Sequence, residues 1–322
     1  TVFTLLAETV INDGGVVFGA RFDSDWSVVH DFTETHEGLQ AFRGSKYLQS
    51  RIGNTYRQAG KFLKAGRKVL FSGTPCQIAG LKRYLHKNYE NLLAVDFVCH
   101  GVPSPLVWKK YLEETIACQC EKKSVLLHSN PLISERDSMA GIRKRKIDAI
   151  SFRNKNLGWK KYSFALTLSE VTTDGEKNTV LLSTIFPENE YMQAFLANFS
   201  LRPSCYHCPV KGGKSGSDLT ISDFWGIEKI APELDDDKGC SLIIAHTDKM
   251  MNWLENNSIL SEIPIKEEPF RSNLSYYTSP AQPVNRSFFF NQLIKNGFHE
   301  AWKNTVSTKL TDRVLRKIYQ FL

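Results

Sequence analysis

The 322-residue chain carries 41 basic and 34 acidic residues, a formal charge of +7, and 42% hydrophobic residues. That is enough apolar material for one large or two ordinary domains, and no stretch approaches the roughly 20 apolar residues of a membrane helix. Seven cysteines, an odd number and with no secretory leader pattern ahead of them, argue against a secreted disulfide scaffold and direct attention to metal or redox chemistry.

The chain opens at Thr1 within what reads as an amphipathic helix, with Phe3, Leu6 and Val10 on one face, so the natural chain is expected to begin further upstream. Gly14 and Gly15 mark a turn into a short strand through Gly19, and Trp26 to Phe32 reads as a second strand. Next come a helix over Ile52 to Ala65, a strand over Lys68 to Ser72, a helix over Gln77 to Leu85, a strand over Leu92 to Val98 and a helix over Leu106 to Ala117. Strand, helix, strand, helix in this order predicts parallel pairing through right-handed crossovers.

From Glu121 to Ile147 the pattern gives way to polar and basic residues, read as an insertion or lid. The run Arg143 to Lys146 reads as a solvated loop. Nucleic-acid binding is not expected, because no reading motif or aromatic interleaving accompanies that run. Strands follow over Ala149 to Phe152, Tyr162 to Thr167 and Thr179 to Thr184, then a helix over Glu190 to Asn198 and a loop from Ser200 to Ser217. Strands over Asp218 to Ile221 and Cys240 to His246 and a terminal helix over Leu310 to Phe321 complete the pattern.

The expected fold class is α/β: a mixed, partly parallel sheet flanked by helices, with a cysteine-bearing loop and a peripheral C-terminal segment. The expected divisions are residues 1–147, 148–270 and a helical tail over 271–322. A soluble protein with no membrane span and a cytoplasmic location is the default expectation.

Cys76 in "GTPCQIAG" and Cys99 in "DFVCHG" each fall at the carboxyl end of a predicted strand, one strand-helix-strand unit apart. Adjacent parallel strands lie about 4.8 Å apart, which brings the two thiols together where open α/β sheets place their ligands. A helix starting beside Cys76 favours the thiolate. Cys205 and Cys208 in "RPSCYHCPVKGG" have the CxxC spacing that chelates one centre, and with the first pair they complete a four-thiol site.

The same CxxC spacing also serves zinc sites and dithiol redox pairs, and buried thiols at strand ends often do no more than pack. The polar company of Thr74, Gln77, Asp96 and His100 speaks against packing alone. Cys118, Cys120 and Cys240 are not expected to be ligands. His100 and His207 are expected to donate hydrogen bonds to sulfur or cofactor rather than to bind metal.

The blocks "VVFGARF", "FRGSKYLQS", "VLFSGTPCQIAGLKRYL", "DFVCHGVPSP", "SFRNKNLGWKKYSF", "LRPSCYHC" and "SDLTISDFWGIEK", in this order, resemble the coenzyme F420 hydrogenase/dehydrogenase beta subunit family, which also includes 7-hydroxymethyl chlorophyll a reductase. The resemblance runs from residue 1 to about Thr247. It implies an iron-sulfur flavoprotein oxidoreductase with a [4Fe-4S] cluster on Cys76, Cys99, Cys205 and Cys208 next to FAD.

By the same resemblance the flavin pocket takes Gly44, Ser45, Lys46, Tyr47 and Gln49, with Thr74, Gln77 and His100 toward the cluster. A glycine permits close backbone approach, Ser45 and Lys46 suit pyrophosphate, and Tyr47 suits stacking. Asp223, Trp225 and Trp159 are weighed as cofactor contacts against turn capping and core packing. No residue is assigned as catalytic.

The implied partners are an electron-carrying protein, ferredoxin-like, or an F420-like carrier, and a small organic substrate. Many members carry a ferredoxin-like segment and a Ser-Gly-Gly ahead of the position that is Val2 here. Neither lies in this sequence, so electron delivery is expected from upstream residues or a separate protein. The alternative is a noncatalytic protein whose four cysteines hold structural zinc and whose basic surface docks a partner. A thiol-disulfide enzyme using Cys205 and Cys208 is a third reading.

Overall fold

A computed structural model describes residues 1–128, 146–171, 177–256 and 273–306. The terminal helix expected over Leu310 to Phe321 and most of the expected insertion, Arg143 to Arg145 included, lie outside these residues. The chain divides into two compact units, one formed by residues 1–102 with 202–281 and the other by 103–201 with 282–322.

In the first unit, α1 (Val2–Asn12) leads to β1 (Val16–Phe22), β2 (Val28–Thr33), β3 (Ser50–Arg51), α2 (Thr55–Lys64), β4 (Val69–Gly73), α3 (Pro75–Leu85) and β5 (Leu92–Phe97). After the second unit's first segment it resumes with β9 (Leu219–Asp223), β10 (Ser241–Ala245) and α6 (Asp248–Glu255). The seven strands run in the order β10-β9-β5-β4-β1-β2-β3. The pairs β1–β4, β4–β5 and β5–β9 are parallel, and β1–β2 and β9–β10 are antiparallel. This is the mixed, partly parallel sheet the sequence predicts.

Helices cover both faces, which explains the unbroken apolar runs of the central strands. Val16, Phe18, Val69, Phe71, Leu92 and Ala94 pack against Ala59 and Leu63 of α2 and Ile78 and Leu81 of α3. The alternate residues Val17, Leu70 and Val95 face Leu6 and Val10 of α1 and Met250 of α6. Phe18 and Phe71 stack with centroids 5.3 Å apart, and burying each such side chain contributes about 1.5–3 kcal/mol. The sheet is thereby fixed as a rigid platform whose strand ends are free for chemistry.

The second unit holds α4 (Pro105–His128), β6 (Lys146–Asn154), β7 (Ser163–Val171), β8 (Lys177–Ile185), α5 (Glu190–Leu196), α7 (Arg286–Asn296) and α8 (Phe298–Val306). Helix α4 extends past the expected end at Ala117, and the expected division at residue 147 falls inside β6. The strands form an antiparallel sheet, β6-β7-β8. Its core is aromatic: Trp108 meets Phe152 at 5.1 Å and Tyr191 at 5.0 Å, and Tyr111 meets Phe298 at 5.3 Å. Trp159 is fully buried in this unit.

Candidate functional site: a four-cysteine centre at the strand ends

The corner after β4 is built by its own sequence. Thr74 caps α3 in a capping box: its side chain accepts from the Gln77 backbone N–H, and the Gln77 Oε1 accepts from the Thr74 N–H at 2.9 Å. Pro75 takes the first helical position, where a missing N–H costs nothing. Cys76 follows on the first turn. Because the Thr74 oxygen accepts from Gln77, its own hydrogen is available to the Cys76 Sγ, 3.1 Å away.

Behind the cap lies a directional network. The His30 Nε2 is 3.0 Å from the Ser72 carbonyl, an acceptor, so this nitrogen carries the proton and Nδ1 accepts from the Ser50 hydroxyl at 2.8 Å. Ser50 in turn accepts from the Gln77 Nε2 at 2.8 Å. Burial, with the nearby Lys46 charge also pressing downward, pulls the imidazole to about 4 against the pull of the Ser72 carbonyl. It is therefore neutral at physiological pH. His30 lies outside the sequence blocks quoted above, and Ser50, which ends one of them, is not expected from it as a site residue.

Cys99 follows β5, the parallel neighbour of β4. Cys205 and Cys208 lie on and just after the single 3₁₀ turn Pro203–His207. The Val102 N–H points at the Cys205 Sγ at 3.5 Å, and the Cys208 N–H donates to the Ser279 Oγ at 3.0 Å. Cys99 senses the charges of Cys76, Cys205 and Cys208, and Cys205 senses those of Cys76 and Cys208, so segments more than 100 residues apart in sequence meet in one place.

Burial pushes the Cys99 thiol up to about 12; Lys211 opposes this, and the three other cysteines add to it. The Cys205 thiol is likewise raised, first by burial, with the Val102 N–H and Arg202 pulling down and Cys76 and Cys208 pushing up. Cys99 and Cys205 thus resist ionisation by themselves, and a cationic partner would offset that cost.

Among the described residues no group of three His, Cys, Asp or Glu side chains has the spacing to hold one metal ion. A single tetrahedral zinc, with Zn–S of about 2.3 Å, would draw its sulfurs to roughly 3.8 Å of one another. Four thiolates are also the donor set that an iron-sulfur cluster takes.

Lys211, which the sequence reading did not single out, ties the centre together. Its ammonium donates to the carbonyl of Cys99 and to that of Ser275, the latter at 2.7 Å. His100, half-buried, reaches the Ser275 Oγ at 3.4 Å. His207 is exposed on the cysteine loop. Cys240 is half-buried with Asp236 as its charged neighbour, and the exposed Cys118 belongs to the second unit. The Cys120 side chain lies outside the described residues.

The expected flavin residues occupy two stretches. Gly44 and Ser45 are exposed, and Gly44 takes φ +80° with open space where a Cβ would stand. Tyr47 and Gln49 are half-buried. The Lys46 ammonium donates to the carbonyls of Phe42, Arg43 and Gly44 at 3.5, 3.0 and 3.2 Å and lies 5.7 Å from the centre of the Phe22 ring. Burial brings it down to about 8. Lys46 therefore organises its own loop, and its charge at His30 puts that loop beside the network that reaches Thr74 and Gln77. Asp223 is the last residue of β9, with its carbonyl accepting from Asn273, and Trp225 follows the strand.

The four cysteines lie beyond the carboxyl ends of the parallel strands of a helix-covered α/β sheet, where such sheets place their ligands. Residues 66–268 match the family defined by the C terminus of the beta subunit of coenzyme F420 hydrogenase/dehydrogenase, and the chain belongs to that family, which makes it an oxidoreductase-type protein. All four cysteines of the centre fall within the matched region. A chain in a xenon-derivatised structure of the F420-reducing [NiFe] hydrogenase complex from Methanosarcina barkeri is similar at 14% identity and a TM-score of 0.45, over 94% of this chain and 83% of that one. No curated protein sequence matches. No helix among the described residues is long and apolar enough to cross a membrane.

Proposed function

We propose that the chain holds a [4Fe-4S] cluster on Cys76, Cys99, Cys205 and Cys208 with FAD alongside, and passes electrons between an external carrier and a small organic substrate. The carrier is a ferredoxin-like protein or an F420-like deazaflavin. The observation that supports this reading most is the approach of the Cys205 and Cys208 loop to Cys76 and Cys99 beyond β4 and β5, with the Val102 N–H on the Cys205 sulfur and the Lys211 ammonium on the Cys99 carbonyl. When bound, the cluster supplies one-electron steps and the flavin two-electron steps.

The chain's own residues do the rest. Thr74 and the Val102 N–H direct hydrogens at two of the sulfurs, which lowers the cost of negative charge there. Lys211 anchors the Cys99 backbone with a fixed positive charge. In this reading the Gly44 to Gln49 loop offers backbone and the Ser45 hydroxyl to pyrophosphate, with Tyr47 against a ring, and Thr74 and Gln77 separate that pocket from the cysteines.

The test is anaerobic purification followed by iron, sulfide and flavin quantitation. Brown protein with iron and sulfide in equal amounts is the expected result, and Cys76→Ser should lose most of the iron. A colourless, zinc-loaded protein, or an iron content unchanged in Cys76→Ser, overturns the reading.

A further inference from the structure

One buried acid is used by nothing described so far. Asp96, 2% exposed, sits on β5 opposite Thr220 of β9. The Thr220 hydroxyl lies 2.5 Å from the Asp96 Oδ1 and 2.8 Å from the Nε2 of His246, which is partly exposed after β10. Asp96 and Thr220 line a small pocket with Cys99, Lys211, Ser275 and Tyr276. The acid and Cys99 thus share one space.

A hydroxyl has a single hydrogen, so this row has two complete arrangements. With Asp96 ionised, Thr220 donates to Asp96 and the His246 Nε2 donates to Thr220. With Asp96 protonated, Asp96 donates to Thr220 and Thr220 donates to a bare Nε2. The two differ by one proton shift along each hydrogen bond, and no heavy atom moves.

We propose that Asp96, Thr220 and His246 form a proton wire that loads one proton onto Asp96 when one electron is added at the neighbouring four-cysteine centre. This rests on the redox reading above. The electron comes from the external carrier and the proton from solvent. The proton binds the His246 Nδ1, the Nε2 proton passes to the Thr220 oxygen, and the Thr220 proton passes to the Asp96 Oδ1. One proton enters, one negative charge is neutralised, and histidine ends in its other neutral tautomer.

The surroundings suit a group that changes charge. Burial raises the Asp96 carboxyl, while Ser215, Thr220, Ser217 and His246 pull it down. On the β4 side it faces Gly73, and Tyr276 lines the pocket beside it, itself raised first by burial and then by Tyr277 and Asp96. Lys211 is the ammonium lining the pocket. Gly213, at φ +73°, keeps the far end tight: a Cβ there would come within 2.9 Å of the Tyr276 hydroxyl and 3.3 Å of the His246 Cε1.

The experiment is an anaerobic redox titration of the iron-loaded protein at a series of pH values, followed by visible absorption and infrared difference spectra. One proton per electron shifts the reduction equilibrium tenfold for each pH unit. That slope is expected above the pKa that Asp96 has in the oxidised protein. Reduction should also produce a protonated-carboxyl band. Asp96→Asn should flatten the slope and remove the band.

Thr220→Val keeps the acid and cuts the wire, so the slope should persist while reduction by dithionite slows about tenfold and loses its solvent isotope effect. A flat slope in iron-loaded wild type, or an unchanged slope in Asp96→Asn, overturns the wire. Protein without iron overturns the redox reading instead, so the two failures are distinct.

Discussion

The Thr74 hydroxyl stands 3.1 Å from the Cys76 sulfur while the same oxygen caps the helix that carries Cys76. One side chain therefore both positions the thiol and polarises it. Thr74→Val is expected to destabilise the protein by about 1 kcal/mol through the lost cap and to lower the reduction potential of the iron-loaded centre through the lost hydrogen bond. Thr74→Ser should restore both. Urea titration and visible redox titration measure the two effects separately, and a potential that stays put in Thr74→Val sinks the second.

Cys99 should react more slowly than Cys118 in the metal-free protein. Its thiol is pushed up to about 12, mainly by burial, so near neutrality it stays protonated. Pulsed alkylation with iodoacetamide, read by mass spectrometry, should label Cys99 after Cys118, which is exposed. In the unfolded chain the thiol titrates near its ordinary value of 9.0. Stability contributed by this group is thus complete below that pH and is lost as pH rises toward about 12.

His30 imposes the opposite limit. Its folded-state pKa is about 4 against an ordinary 6.5, so between those values the unfolded chain binds a proton that the folded chain refuses. Stability from this group is whole above pH 6.5 and falls as the pH drops to 4, by roughly 3 kcal/mol if the shift holds in full. Urea unfolding of wild type and His30→Gln over that range checks it: the variant should show the shallower pH dependence, and parallel curves would refute the assignment.

Asp218 joins strands at a distance. Its Oδ2 accepts from the Ala94 N–H at 2.7 Å, and its Oδ1 lies 3.4 Å from the Lys249 ammonium and 3.3 Å from the Thr247 hydroxyl. Asp218→Ala leaves the Ala94 N–H buried and unpaired, a loss of about 1–3 kcal/mol. The ion pair itself adds little, because Lys249 is 39% exposed. Asp218→Asn should recover most of the loss, and chemical denaturation of both variants provides the comparison.

Much of this site could be read from local patterns. Lys68 to Ser72, the helical pattern over Gln77 to Leu85 and the apolar run before Cys99 predict strand, helix and strand without reference to anything distant, while the cap at Thr74 and the start at Pro75 emerge only in the structure. What local pattern cannot supply is the partner of a strand: β9 lies beside β5 although more than 100 residues separate them, and only packing of the finished sheet selects that pairing. Lys46 shows the same limit at a side chain. A lysine after a glycine suggests phosphate, yet its ammonium is turned onto three carbonyls of its own loop. His30, Ser50 and Lys211 matter through neighbours remote in sequence, so no spacing announces them.

The first unit is interrupted by residues 103–201, and the interruption falls between Cys99 and Cys205. A ribosome adding roughly 5–20 residues per second therefore releases half of the thiols several seconds before the other half. During that interval the nascent chain offers Cys76 and Cys99 of the proposed set without Cys205 and Cys208. A group held by all four, as proposed above, would have to wait until the intervening unit has been synthesised, so maturation would follow translation in time as well as in logic.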